Sequence, residues 1–179
     1  KVATVTENGL VSPVSVGTAT LTASADGYDS VKVEISVYKE GTTVGIDSIP
    51  VQIYTGKEIT PTVTVKLSDT TLVKDTDYTV AYKNNINVGT ATVTVTGKGR
   101  YSFVKKAEFK ICYNISSVVA DTISDQMYTG KEVTPAVVLK NATVTLVKDK
   151  DYTLAYTNNT AIGTAIITIT GKGDYTGTK

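Results

Sequence analysis

Histidine and tryptophan are missing altogether from this chain, cysteine and methionine occur once each, and proline occurs only four times. Without histidine, Ser/His/Asp and Cys/His nucleophile systems are excluded, and so is the commonest metal ligand. The lone Cys112 rules out an intrachain disulfide and every multi-cysteine metal site. It stands in Phe109-Lys110-Ile111-Cys112-Tyr113, where alternation puts it on the face opposite Ile111, and it reads as a small packed residue rather than a reactive thiol. No apolar run approaches the roughly 20 residues that a membrane-spanning helix needs, so no membrane insertion is expected. Neither sign of charge is in excess, with 18 basic against 17 acidic side chains spaced singly along the chain. A nucleic-acid binder needs a basic stripe to neutralise phosphates, and none is present.

What is abundant is Val, Ile, Thr and Tyr, the residues that suit a pleated, half-buried surface. The segment Gly89 to Gly97 alternates strictly, with Ala91, Val93 and Val95 on one face and four threonines on the other. Period two defines a half-buried strand, since successive side chains point to opposite faces. Tyr78, Val80 and Tyr82 alternate in the same way with polar neighbours, and Asn84-Asn85 follows with turn chemistry. Asn8-Gly9, between Val5 and Leu10-Val11, predicts a two-residue hairpin turn. No segment carries a helical period. Short strands separated by turn signals point to an all-β sandwich or barrel.

An internal repeat organises these strands. Tyr54-Thr55-Gly56-Lys57-Glu58 returns 74 residues later as Tyr128-Thr129-Gly130-Lys131-Glu132, and the same offset carries Asp47 onto Asp121, Pro61 onto Pro135, Leu72-Val73-Lys74-Asp75 onto Leu146-Val147-Lys148-Asp149 and Gly97-Lys98-Gly99 onto Gly171-Lys172-Gly173 without a gap. More than half of the overlapping positions are identical, so the two copies should share strand order and loop lengths. The opening residues match only the later part of a copy, with Val16-Gly17-Thr18-Ala19-Thr20 answering Val88-Gly89-Thr90-Ala91-Thr92. The organisation expected is therefore an incomplete module at 1–38, a link at 39–46, a first repeat at 47–113, a link at 114–120, and a second repeat at 121–179 that lacks the closing strand found at 106–113. The links are too short for free tumbling, which favours a semi-rigid arrangement of modules end to end.

Lys1-Val2-Ala3-Thr4-Val5, Asn8-Gly9-Leu10-Val11 and Val16-Gly17-Thr18-Ala19-Thr20-Leu21-Thr22 together resemble the second half of a bacterial immunoglobulin-like group 2 domain, without that family's preceding Trp-bearing strand. The two full copies resemble tandem immunoglobulin-like repeats of large surface proteins from Gram-positive bacteria. The resemblance implies β-sandwich modules and a non-enzymatic, extracellular role as a stalk, spacer or adhesive part of a cell-surface or secreted protein. Neighbouring modules of the same parent protein would be the partners. The alternative is a module binding carbohydrate or a host surface, with surface glycans or host proteins as partners, including an immunoglobulin-like decoration of a phage virion.

Four local patterns carry weaker chemistry. Asp75-x-Asp77 and Asp149-x-Asp151 offer oxygens to calcium, but Lys74, Lys148 and Lys150 oppose a cation, and a turn with Asp bound to backbone fits better. Gly97-Lys98-Gly99 has no following helix and reads as a hairpin turn, not a phosphate cradle. Tyr54, Tyr101, Tyr128 and Tyr175, at strand ends or turns, can stack on sugars or cover the end of a sandwich. Lys and Asn in each copy raise a Lys–Asn crosslink, which sequence cannot place. No catalytic, metal or cofactor-binding residue is assigned, and no enzyme activity or cofactor is expected.

Overall fold

The computed structural model describes all residues except Tyr38 and 41–43, with Lys39 and Glu40 described by backbone alone. The last residue of the incomplete module and the middle of the link at 39–46 therefore lie outside the described residues. Every named element among the described residues is a strand, apart from one 3₁₀ turn. The opening segment holds β1 (Ala3–Val5), β2 (Val11–Pro13), β3 (Gly17–Ala23) and β4 (Val31–Val37). Next come β5 (Lys39–Glu40), β6 (Val44–Ile46), β7 (Gln52–Ile53), β8 (Val65–Leu67) and β9 (Thr70–Thr71). The first copy continues with β10 (Tyr78–Lys83), β11 (Gly89–Gly97), β12 (Tyr101–Ser102) and β13 (Val104–Asn114). After the 3₁₀ turn Ile115–Ser117, the second copy has β14 (Val119–Ala120), β15 (Leu139–Asn141), β16 (Val144–Thr145), β17 (Tyr152–Thr157), β18 (Ile166–Gly171) and β19 (Tyr175–Thr176).

The chain forms two compact units, one of Lys1–Ile49, Thr60–Lys83 and Thr92–Glu108, the other of Pro50–Ile59, Asn84–Ala91 and Phe109–Lys179. In the first unit the opening segment makes two antiparallel hairpins, β1 with β2 and β3 with β4. The register Ala19↔Ile35 and Leu21↔Val33 puts the alternating apolar residues on one face. That face is incompletely covered, with Val33 52% and Val31 63% exposed. The expected turn at Asn8-Gly9 is shifted by one residue. Gly9 N donates to Thr6 O at 2.9 Å, so Glu7 and Asn8 occupy the turn centre and Gly9, at φ 77°, follows it in the left-handed region. A type I turn splays a hairpin unless one left-handed residue corrects the twist, and glycine takes that conformation at no steric cost.

The core of the first unit gathers Val44, Val63, Val65, Leu67, Leu72, Tyr78, Val93, Val95 and Tyr101. β10 pairs antiparallel with β11 through Val80↔Val95 and Tyr82↔Val93, so both inward rows meet on one face. Thr92 and Thr94 on the other face are half-buried rather than fully outward; β11 is an inner strand with β10 on one side and β13 on the other, whereas Thr168 of β18 is exposed as expected. The second unit repeats this core with Val118, Val137, Leu139, Leu146, Tyr152, Ile169 and Tyr175, seven residues that lie 74 positions after members of the first cluster, together with Ile115.

Backbone detail repeats as well. Left-handed φ values recur at Ser68 and Ala142 (51° and 52°), Asp75 and Asp149 (67° and 68°), and Asn84 and Asn158 (58° and 56°). An exposed ion pair joins Lys66 to Asp47 at 2.8 Å and Lys140 to Asp121 at 2.9 Å. The segments read as links carry β5 and β6, and the 3₁₀ turn and β14. Of these, β6 pairs with β8, and β14 with β15.

The copies part company at the last strand. In the second unit the end of β13 pairs in parallel with β7, Ile111 opposite Gln52 and Cys112 opposite Ile53. The matching Gln126–Met127 segment is not a strand. β11 begins at Gly89, whereas β18 begins only at Ile166. Residues 89–91 lie before the reach of β10, whose pairing stops at Thr92, and the neighbour of β11 on its other side is β13. Among the described residues no strand pairs with 163–165. Ile169 and Lys179 exchange backbone bonds at 2.7 and 2.8 Å, and Thr178 bridges Thr170.

Candidate functional site

Several polar side chains that recur at the 74-residue offset are spent on the fold. Asp77 Oδ2 accepts the Val73 amide at 2.8 Å, and Asp151 Oδ2 accepts that of Val147 at 2.8 Å. The Asp75 carbonyl accepts Lys98 Nζ at 2.7 Å, and the Asp149 carbonyl accepts Lys172 Nζ at 2.7 Å. An ammonium thus sits on a backbone oxygen of each Asp loop, and one carboxylate oxygen of each pair is taken by an amide, which weighs against a cation there. Among the described residues no group of three or more Cys, Asp or Glu side chains is placed to hold a metal ion. Gly97-Lys98-Gly99 is a tight turn whose lysine fastens the neighbouring Asp loop. A Cβ on Gly97 would lie 2.8 Å from Tyr101 O, which explains a glycine there.

The Asn-Asn pairs divide their work. Asn84 and Asn158 take the left-handed turn, as Asn can. Asn85 and Asn159 are buried and clamp a distant segment: Asn85 O accepts Ile59 N at 2.9 Å while its Nδ2 donates to Ile59 O at 3.1 Å. Asn159 does the same with Val133, and its Nδ2 also lies 3.3 Å from Glu132 Oε1. Sequence reading missed this clamp; the doubled Asn at both turns was the available signal. A Lys–Asn crosslink needs an amine beside the amide. The hydrogen-bonded lysine amines sit instead on Asp47, Asp121, the Asp75 and Asp149 carbonyls, and the Ser116 and Val118 carbonyls.

Four tyrosine hydroxyls reach back to backbone carbonyls. Tyr78 donates to Val63 O at 2.8 Å and Tyr152 to Val137 O at 2.9 Å; Tyr82 and Tyr156 donate to Pro61 O and Pro135 O at 2.5 and 2.7 Å. Burial pushes the pKa of Tyr78, Tyr82 and Tyr152 up, with a smaller push from neighbouring Asp75 at Tyr78. Of the tyrosines weighed for sugar stacking, Tyr101 and Tyr175 are buried. Tyr54 stands edge-on to Tyr113 at 5.1 Å between ring centroids, and Tyr113 lies 5.4 Å from Tyr175. Tyr128 alone of the four is largely open, at 56% exposure. Cys112 is packed, as expected, although Ile111 on the opposite face is buried too. Burial raises its thiol pKa, which Lys110 partly offsets.

The second unit also contains an open groove of about 710 Å³, lined in part by Met127, Tyr128, Val137, Ile162, Ala165 and Ile167. Ala165 is exposed where Ala91 is fully buried, and Ile167 is half-exposed where Val93 is fully buried. These residues form an apolar trough beside an unpaired strand edge. Polar side chains, among them Ser124, Asp125, Asn158 and Lys179, share the lining. No family model, no curated protein and no solved structure matches this chain.

Proposed function

We propose that this chain is a non-enzymatic run of immunoglobulin-like sandwich modules, joined end to end, serving as a stalk or spacer in an extracellular bacterial surface protein. The observation that carries the reading is the fidelity of the repeat. Two copies share left-handed residues, core positions, tyrosine-to-carbonyl bonds and Asn clamps at one fixed offset. Side chains recurring this way hold each copy together, which suits a unit that transmits force along a chain of modules. The balanced, scattered charge supports a role without electrostatic recognition.

The test is to pull the chain by its ends in an optical trap while offering mucin and cell-wall glycans in a parallel binding assay. Discrete unfolding steps, each releasing roughly 200 Å for about 60 residues at the extended-chain limit, together with no saturable glycan binding, support the stalk. Smooth extension without steps overturns it. Saturable glycan binding lost with Tyr128→Ala would replace it by the carbohydrate-binding alternative.

A further inference from the structure

We infer that each repeat is closed by a parallel two-strand patch which tension along the chain can only shear, so that this patch, and not the core, sets the force at which the repeat opens. The inference deepens the stalk reading and rests on it for the direction of the force.

The patch occurs twice, at the 74-residue offset. In the first unit Lys39 and Glu40 pair in parallel with Tyr101 and Ser102; in the second, Tyr113 and Asn114 pair in parallel with Tyr175 and Thr176. These strands are where the chain enters and leaves each repeat. The antiparallel pairs β6 with β8 and β10 with β11 lie, in sequence, between the two strands of the first patch, and β14 with β15 and β17 with β18 between those of the second. Each repeat is thus a loop that its patch closes, and the chain carries no tension into these pairs until the patch parts. β13 runs from just after the exit strand of the first patch to the entry strand of the second, ending at Asn114.

Direction decides how such a patch resists. Tension draws the entry strand toward its N-terminus and the exit strand toward its C-terminus. In a parallel pair these pulls oppose one another along the strands, and the evenly spaced cross-bonds are loaded together. A hairpin pulled by its two open ends loses its bonds one after another instead, as the opening pairs β1 with β2 and β3 with β4 should.

In the second unit the contact extends well past the two paired residues, because residues 112–118 follow 173–179. Cys112 Sγ lies 3.9 Å from Gly173 O, Tyr113 N donates to Asp174 O at 2.8 Å, and Lys179 Nζ donates to Val118 O and Ser116 O at 2.6 and 3.4 Å. A Cβ on Gly177 would lie 3.1 Å from Asn114 Oδ1, so the two segments approach closely there. The Tyr113 ring, between Tyr54 and Tyr175, packs against the core of this unit. Polar bonds along the whole overlap and one buried ring at its centre resist sliding, whereas a single terminal contact would not.

The experiment pulls a Cys112→Ala chain in two geometries: by its two termini, and by its N-terminus and a handle on Asp174→Cys, an exposed position just before β19. The second geometry places both pulls at one end of the second patch and peels it, while the first patch is still sheared and serves as the internal standard. Pulling by the termini should give two steps of similar force. With the handle at 174, one step should fall to about half that force or less and the other stay, since forced unfolding follows the rate of opening. Tyr113→Pro, which deletes the amide bonded to Asp174 O, should lower one step under terminal pulling. Tyr152→Phe, which weakens the core of the same repeat, should lower Tm while leaving the force of that step nearly unchanged. If Tyr113→Pro does not fold, the two geometries decide alone. Steps of equal force in both geometries, or forces that simply follow Tm across the variants, overturn the patch and leave the stalk reading standing. Smooth extension without steps under terminal pulling overturns both.

Discussion

Replacing Tyr78 by Phe removes one hydroxyl and almost no volume, so its effect isolates a single hydrogen bond. The hydroxyl donates to Val63 O at 2.8 Å between residues that are 3% and 6% exposed, and water cannot replace it without opening the core. A typical bond contributes about 0.5–1.5 kcal/mol net, and an orphaned buried carbonyl adds its own desolvation cost, so a loss of about 1–3 kcal/mol is expected. For a domain of this size that lowers Tm by roughly 4–8 °C per kcal/mol. Urea unfolding followed by circular dichroism should show a lower midpoint at unchanged slope. Tyr128→Phe, at a position 56% exposed, is the control and should stay within about 0.5 kcal/mol.

The pH dependence gives a second check. Burial, and to a lesser extent Asp75, raises the pKa of Tyr78 in the folded state. Above the ordinary phenol value near 10 the unfolded chain has released this proton while the folded chain still holds it. Stability from the group is therefore complete below about pH 10 and is lost as pH climbs through the folded-state value. Tyr78→Phe lacks that dependence, so the gap between the native chain and the variant should narrow above pH 10. A gap that widens there, or a urea shift no larger than that of Tyr128→Phe, would refute the reasoning.

Val93→Ala, at a fully buried position, should cost about 1–3 kcal/mol, whereas Ile167→Ala should cost less although it deletes more methyl groups, because its site is already half-open. Urea titration of both variants decides the order. Cys112 should resist a thiol reagent in the native chain at neutral pH and react rapidly in denaturant, since it is buried and its pKa is raised; fast native labelling would contradict the packing. Calcium or a chelator should leave Tm within about 1 °C, because Lys98 and Lys172 already bind the Asp75 and Asp149 carbonyls; a calcium-dependent rise would reinstate the metal reading.

Local periodicity was enough to place β10, β11, β17 and the inward faces of each, because a strand's two faces are written directly in alternating residues. The gapless offset made the second copy readable from the first. The doubled asparagines were legible as turns but not as clamps: Asn85 binds Ile59, 26 residues away, and no local pattern names a partner at that range. The Asp-x-Asp pairs were likewise legible as turns, while the lysine that fastens them is brought in from 23 residues further on. The Asn8-Gly9 turn moved by one residue because hairpin twist, set by pairing across the whole ribbon, chose where the left-handed residue falls.

By itself the sequence determined the all-β class, the strand faces, the 74-residue repeat and the exclusion of histidine chemistry, all of which depend on composition or on neighbours a few residues apart. Only the tertiary structure decided how each polar group is used and which equivalent positions differ. Ala91 and Ala165 sit in the same Gly-Thr-Ala context, yet one is buried and the other exposed. Burial is a property of what lies across the space from a residue, and β13 lies beside the strand of the first while, among the described residues, no strand takes that place beside the second.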